Sequence, residues 1–258
     1  MAMTNSMRER MAAGELALGL GLRQARTVDI GRAMVTAGLD WLFIDLEHNS
    51  MGIDTAVQLS IAAQDAGIAP IVRVPSGDLA LACRALDGGA MGIVMPHVQT
   101  AADARAFVDG CRYAPIGERG VAAAIPQTGF APLPLAEGQR QADAAVLLIA
   151  MIETTDAAAQ ADEIAATPGL DALLVGSQDL CMNLGTPGDV GSDAAKEVVV
   201  AVIDACKRHG KWAGLAGVGD PALINERAAA GIDFALVGND LGMLMAAVAL
   251  QVAALRPA

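Results

Sequence analysis

Residues 41–75, WLFIDLEHNSMGIDTAVQLSIAAQDAGIAPIVRVP, read as one strand–helix–strand unit. WLFIDL (41–46) and PIVRV (70–74) are apolar runs of strand length, and the segment between them has helical character over 54–66. Asp54 is placed to open that helix and Gly67 to follow its last turn. Outward from this unit the same alternation continues. Further strands are expected at 17–22, 92–96, 145–152, 172–176, 212–216 and 234–238, which makes eight in all. Helices are expected near 27–37, 78–88, 101–109, 154–166, 192–209, 220–230 and 241–254, the first opened by Thr27 and followed by Gly38.

Eight such units in 258 residues predict a single (β/α)8 barrel over 1–258, with a doubly wound open sheet as the alternative. One connection is longer than the rest. Between Val98 and Ala144 a helix is followed by RYAPIGERGVAAAIPQTGFAPLPL, rich in proline and glycine, which is expected to reach over the carboxyl end of the barrel.

Composition narrows the function classes. Hydrophobic residues make up 54% of the chain, so it folds, and 29 acidic against 17 basic residues give a net charge of −12. That field repels polyanions and anionic membranes, so neither nucleic acid nor a membrane is an expected partner. The N-terminal stretch lacks the apolar core of a signal peptide, and a cytoplasmic location is expected. Cys83, Cys111, Cys181 and Cys206 have no zinc-ribbon spacing and read as reduced, mostly buried thiols.

In a packed barrel, ionisable residues at the carboxyl ends of strands carry the chemistry. The second strand ends in Asp45, Glu47 and His48, the third contains Arg73, the fifth ends at Glu153, and the sixth runs into GSQD at Asp179. Glu153 and Asp179 stand at the ends of adjacent strands, close enough to share one hard divalent cation, Mg2+ or Mn2+, with Co2+ as a third option. With three histidines, none spaced with another, a His-rich zinc site is not expected. His48 has the chemistry of a proton carrier and needs an orienting carboxylate, for which Asp87 is a candidate. Arg73 needs an anion, either Asp45, Glu47 or a substrate oxygen. His97 is placed either to line the same mouth or, as the preferred reading, to touch the long loop, and Arg112 and Arg119 either anchor that loop or draw an anion inward. No Walker loop or complete dinucleotide fingerprint occurs, and the few lysines, Lys196, Lys207 and Lys211, disfavour Schiff-base chemistry.

WLFIDLEH (41–48), PIVRVP (70–75), ALDGGAMGIVMPHV (85–98), RYAPIGERG (112–120), MIET (151–154) and LLVGSQDLCMNLG (173–185), in this order and spacing, resemble the HpcH/HpaI family of class II, metal-dependent 2-oxo acid aldolases. The resemblance implies a (β/α)8 TIM barrel whose last helix is exchanged between subunits, in a hexamer built from dimers. It implies reversible cleavage of a 4-hydroxy-2-oxo acid to pyruvate, or a close relative such as hydroxypyruvate, and an aldehyde. Carried over, Glu153 and Asp179 hold the metal, Arg73 supports the oxygen that becomes an enolate, His48 with Asp87 governs proton movement, and Asp45 backs Arg73 and His48. Ser177, Gln178 and Asp179 would receive the substrate carboxylate. Met151 departs from the glutamine common two positions before the metal-binding glutamate, and Ser177 stands where proline is usual. Alternatives are a related barrel lyase acting on an acyl-CoA thioester or a phosphoenolpyruvate-like acid, and a non-catalytic 2-oxo acid binding protein.

The terminal stretch LGMLMAAVALQVAAL (241–255) is apolar on more than one helical face, too short for a confident membrane span, and predicts an oligomer interface.

Overall fold

The computed structural model describes residues 4–122 and 124–256; the first three residues, the last two and Ala123 of the VAAAI stretch lie outside it. Eight parallel strands close into a barrel in chain order: β1 (Ala17–Leu22), β2 (Trp41–Asp45), β3 (Ala69–Arg73), β4 (Gly92–Met95), β5 (Leu147–Ile152), β6 (Ala172–Gly176), β7 (Trp212–Ala216) and β8 (Phe234–Asn239). Pairing of β8 with β1 removes the open-sheet alternative. The strands form because their runs are apolar on both faces. One face meets Trp41, Ile71, Leu147, Leu174 and Phe234 inside the barrel, and the other meets the surrounding helices.

Those helices are α1 (Ser6–Ala12), α2 (Ile30–Thr36), α3 (Ile53–Ala66), α4 (Leu79–Asp87), α5 (Ala101–Cys111), α6 (Leu135–Ala145), α7 (Thr155–Ala159), α8 (Ala161–Ala165), α9 (Ser177–Asn183), α10 (Asp193–His209), α11 (Pro221–Ala230) and α12 (Asp240–Leu255). Helix α1, absent from the sequence expectation, plugs the amino end of the barrel: Met7 and Met11, one turn apart, are buried in the interior cluster. Asn5 Nδ2 fastens it by donating to the carbonyls of Met91 and Ala145 at 2.9 and 2.8 Å.

Three expectations need correction. The segment 154–166 is two short helices, α7 and α8, meeting at Gln160. Thr27 does not open α2, whose N-cap position is Asp29, and Asp54 sits in the first turn of α3 behind a Gly52 cap. The long connection contains α6 and does not overhang the carboxyl end. Helix α5 has already carried the chain back to the amino end, so the segment after it is an αβ connection on that side. Gln127 Nε2 donates there to the carbonyls of Leu86 and Ala90, just ahead of β4. Arg112 is the anchor of the segment, buried against Asp171 and the carbonyls of Gly169, Asp143 and Val146.

At the other end of the chain, Asn239 caps α12, and Asp240 accepts backbone N–H groups from Arg23, Gln24 and Ala25, tying the last helix to the loop after β1. None of the residues of α12 is buried, and Leu244, Met245, Leu250 and Leu255 are at least 60% exposed. Among the described residues no helix is long and apolar enough to cross a membrane.

Candidate active site

The carboxyl ends of the strands surround a cavity of about 450 Å³, with Asp45, His48, Arg73, Met151, Ser177 and Asp179 in its wall. The register between β2 and β3 pairs Asp45 directly with Arg73. Arg73 Nε and Nη2 donate to Asp45 Oδ1 and Oδ2 at 2.9 and 2.7 Å, a two-point grip that holds the planar guanidinium in one orientation. Its Nη1 stands 3.2 Å from Glu47 Oε2 as an ion pair without hydrogen-bond alignment. Both anions foreseen for Arg73 are therefore present. The guanidinium also lies over the Phe43 ring, 5.2 Å from its centre.

Burial penalises charge on both partners, yet the pair stays ionised. Asp45 is held below its ordinary value because the hydrogen bonds and charge of Arg73, with the N–H groups of Glu47 and His48, outweigh desolvation. Arg73 is held above its own, since the Asp45 contact and the charges of Asp45, Glu47 and Glu153 overcome the same penalty.

Across the cavity, pairing of Ile152 with Val175 brings Glu153, one residue beyond β5, alongside Gly176 at the end of β6. A Cβ on Gly176 would meet Glu153 Cγ and Met151 Cε, both at 2.8 Å, so only glycine leaves the carboxylate this position. Glu153 is buried, and burial raises its pKa; the charge of Asp179 pushes the same way, against the His97 N–H and the positive charges of His97 and Arg73. Two neighbouring carboxylates, one of them desolvated, are a donor set that a hard divalent cation would relieve, and the residues fit such an ion. Among the described residues no group of three His, Cys, Asp or Glu side chains forms a metal cluster. Two protein carboxylates would thus leave the remaining coordination to water or substrate oxygen.

Ser177, Gln178 and Asp179 occupy the first turn of α9, where backbone N–H groups have no acceptor within the helix. Gln178 Nε2 donates to the Gly217 carbonyl at 2.6 Å, which links this turn to the loop after β7.

The structure does not bring Asp87 to His48. Asp87 ends α4 and is bound by Arg119 Nη2 at 2.6 Å, outside the cavity wall. The carboxylate beside His48 is Glu47, with Oε2 3.8 Å from Nε2. His97 is also placed differently from its expected contact with the long loop. Its backbone takes φ 55°, which turns its N–H to Glu153 Oε2 at 2.8 Å, and its ring spans Glu153 (3.2 Å) and Glu47 (3.6 Å). Glu47, foreseen only as an anion for Arg73, thus also reaches the rings of His48 and His97, contacts that sequence reasoning passed over. The only advance signal was the position of these residues at strand ends.

The chain belongs to the HpcH/HpaI aldolase/citrate lyase family, whose model matches residues 24–247, and it is a carbon–carbon lyase. It is 40% identical over 219 residues to a 4-hydroxy-4-methyl-2-oxoglutarate aldolase of Hapsidospora irregularis, covering 84% of this chain and 81% of that one. A 2-dehydro-3,6-dideoxy-6-sulfogluconate aldolase of Pseudomonas putida is 37% identical over 231 residues, 88% of each chain. The crystal structure of an HpcH/HpaI aldolase from Desulfitobacterium hafniense superposes with a TM-score of 0.93 at 31% identity, covering 100% of this chain and 98% of that one.

Proposed function

We propose that the chain, acting as one catalytic barrel over residues 1–258, cleaves a 4-hydroxy-2-oxo acid reversibly to pyruvate, or a close 2-oxo acid such as hydroxypyruvate, and an aldehyde. The observation that carries this reading is a buried, two-point-held arginine and Asp179 in the wall of one cavity, with the buried Glu153 alongside Gly176 of the same wall. Glu153 and Asp179 would hold Mg2+, Mn2+ or Co2+. When bound, that ion supplies Lewis acidity that draws electron density from the 2-oxo group.

Arg73 is aimed at the oxygen on which charge grows as the carbon–carbon bond breaks, and Asp45 prevents it from turning away. Ser177, Gln178 and the first turn of α9 orient the substrate carboxylate. His48 removes the proton of the 4-hydroxyl in cleavage and returns it in the reverse direction, with Glu47 steadying the imidazole. Phe43, Met151 and Leu236 give the cavity apolar wall for the rest of the substrate. A panel of 4-hydroxy-2-oxo acids of different chain lengths, assayed for pyruvate release with and without chelator, tests the proposal. Binding of pyruvate without turnover on any member would return the non-catalytic alternative.

We further propose a homo-oligomer, with the hexamer and exchanged last helix of the family as its form and α12 as the interface. At about 25 cal/mol per Å2 of apolar surface, covering the outer face of α12 with a second copy contributes several kcal/mol. Exposure of the same face favours aggregation. An oligomer also gives Asp87 a route to His48: its half-exposed carboxylate can serve a neighbouring copy's site.

A further inference from the structure

Outside the catalytic cavity, one pair of thiols has no part in carbon–carbon bond cleavage. Cys83 on α4 faces the end of α5, where its Sγ lies 3.1 Å from the carbonyl of Gly110, the residue next to Cys111. The two helices meet closely because residue 110 is glycine: a Cβ there would stand 3.0 Å from Leu79 Cδ1 on α4. Cys83 and Asp87, four residues apart, share one face of α4, and Arg119 binds Asp87 on that face.

Arg119 supplies an independent observation. Its side chain is 1% exposed and lies over the Tyr113 ring at 4.6 Å, and only Nη2 is bound, to Asp87. Its Nε and Nη1 are buried with no hydrogen-bond partner among the described residues, as is the Tyr113 hydroxyl. The positive charge of a guanidinium favours the thiolate, the nucleophilic form, of a nearby thiol.

We propose that Cys83 and Cys111 are a reversible dithiol–disulfide site that clamps α4 to α5 when the protein meets a peroxide. Cys83 is the attacking thiol, because it is the more exposed of the two and Cys111 is buried behind it. The Cys83 thiolate attacks one peroxide oxygen, the O–O bond breaks, and water leaves once the displaced hydroxide takes up a proton. The resulting Cys83 sulfenic acid is attacked by the Cys111 sulfur, forming the S–S bond and releasing a second water. Two thiols lose two electrons, and one peroxide is reduced to two waters. A small dithiol reverses the step by exchange. The electrostatics agree: the Cys111 thiol and the Arg119 charge bring Cys83 down to about 7 against burial and Asp87, whereas Cys111 is pushed up by the same thiol contact and by burial.

The test is peroxide titration of the folded full-length protein, followed by alkylation, digestion and mass mapping. The expected result is a Cys83–Cys111 cross-linked peptide within one chain, two hydrogens lighter than the reduced pair and restored by dithiothreitol. Cys111→Ser should leave a Cys83 sulfenic acid that dimedone traps, and Cys83→Ser should leave Cys111 unmodified at the same dose. Iodoacetamide at pH 7 should label Cys83 about tenfold or more faster than Cys181. The proposal is overturned if peroxide oxidises other thiols first, if the disulfide joins separate chains, or if Cys83→Ser oxidises at Cys111 as fast as the native protein. Mapping of the native protein alone decides the matter should a variant fail to fold.

Discussion

The two ends of this barrel use the same residue types in opposite ways. At the amino end Asp171 takes Arg8, Arg112 and the Leu148 N–H, while Arg112 finds carbonyls for its remaining donors. Arg8, Arg112 and Asp171 line a second cavity there, yet their charges pair with one another, so this end is closed in the sense of charge. At the carboxyl end Arg73 is gripped from behind by Asp45, but Glu153 and Asp179 are like charges set near each other, and His48 stands half in the solvent. A burial pattern alone would not separate the ends. What separates them is whether each charge has its partner within the fold, and mutation should expose that difference.

Removing a carboxylate at the open end should abolish activity and spare the fold. Glu153→Gln and Asp179→Asn are each expected to lower chelator-sensitive turnover by at least about a hundredfold. Melting of the Glu153→Gln protein should be no lower than native in chelator, because burial already disfavours the charge it removes. Unchanged metal affinity and turnover in both variants would contradict the assignment. Arg73→Ala should lower turnover and weaken pyruvate engagement together. His48→Ala should act mainly on turnover, read as kcat against KM across pH. If Asp87 serves a neighbouring copy, mixing inactive His48→Ala and Asp87→Asn subunits should restore part of the activity, and no restoration would confine the proton path to one chain.

The closed end should show the reverse. Asp171→Asn leaves Arg8 and Arg112 without their anion, and a loss of about 2–4 kcal/mol is expected in chemical denaturation. The KM of the surviving folded enzyme should stay native. A kinetic defect at native stability would mean that the closed end and the site are coupled.

How much of this contrast could be read in advance depended on the kind of information each part needs. The eight strands were legible because each is an apolar run ended by glycine or a polar residue, and Asp45, Arg73, Glu153 and Asp179 were legible as charges at strand ends. The position of the long connection was misjudged, although parity settles it: a segment that follows a helix belongs to the amino end. Helix α6 was missed because Gly138 and the proline-rich approach hide an ordinary helix-forming stretch, LAEGQRQADAA. His97 was legible as a residue near the mouth, but its contact with Glu153 was not, since it rests on a positive φ that its side chain does not announce. Asp87 was a plausible partner for His48 by residue type, but Arg119 lies closer to it than any sequence spacing revealed.

Helix α12 belongs to neither end, and its prediction concerns assembly. Leu250→Glu with Met245→Glu should shift equilibrium sedimentation toward smaller or aggregated species and reduce activity. A soluble, active monomer of the native chain would defeat the interface.

The smallest expected effect lies inside the open end, where two carboxylates should respond to acid with opposite signs. Asp45 has a lowered pKa, so its stabilisation is fully present above its unfolded value near 4 and is lost as pH falls through the lower folded value. Glu153 has a raised pKa, so its contribution is fully present below its unfolded value, also near 4, and is lost as pH rises through the higher folded value. On acidification the loss at Asp45 is opposed by the gain at Glu153. Glu153→Gln removes the compensating group and leaves Asp45 alone. With chelator present throughout, the fall in melting temperature from pH 6 to pH 3 should therefore be about 1–3 °C larger in Glu153→Gln than in the native protein. An equal fall in both would show that Glu153 titrates as an ordinary solvated carboxylate, and the difference between the open and closed ends would then rest on geometry alone.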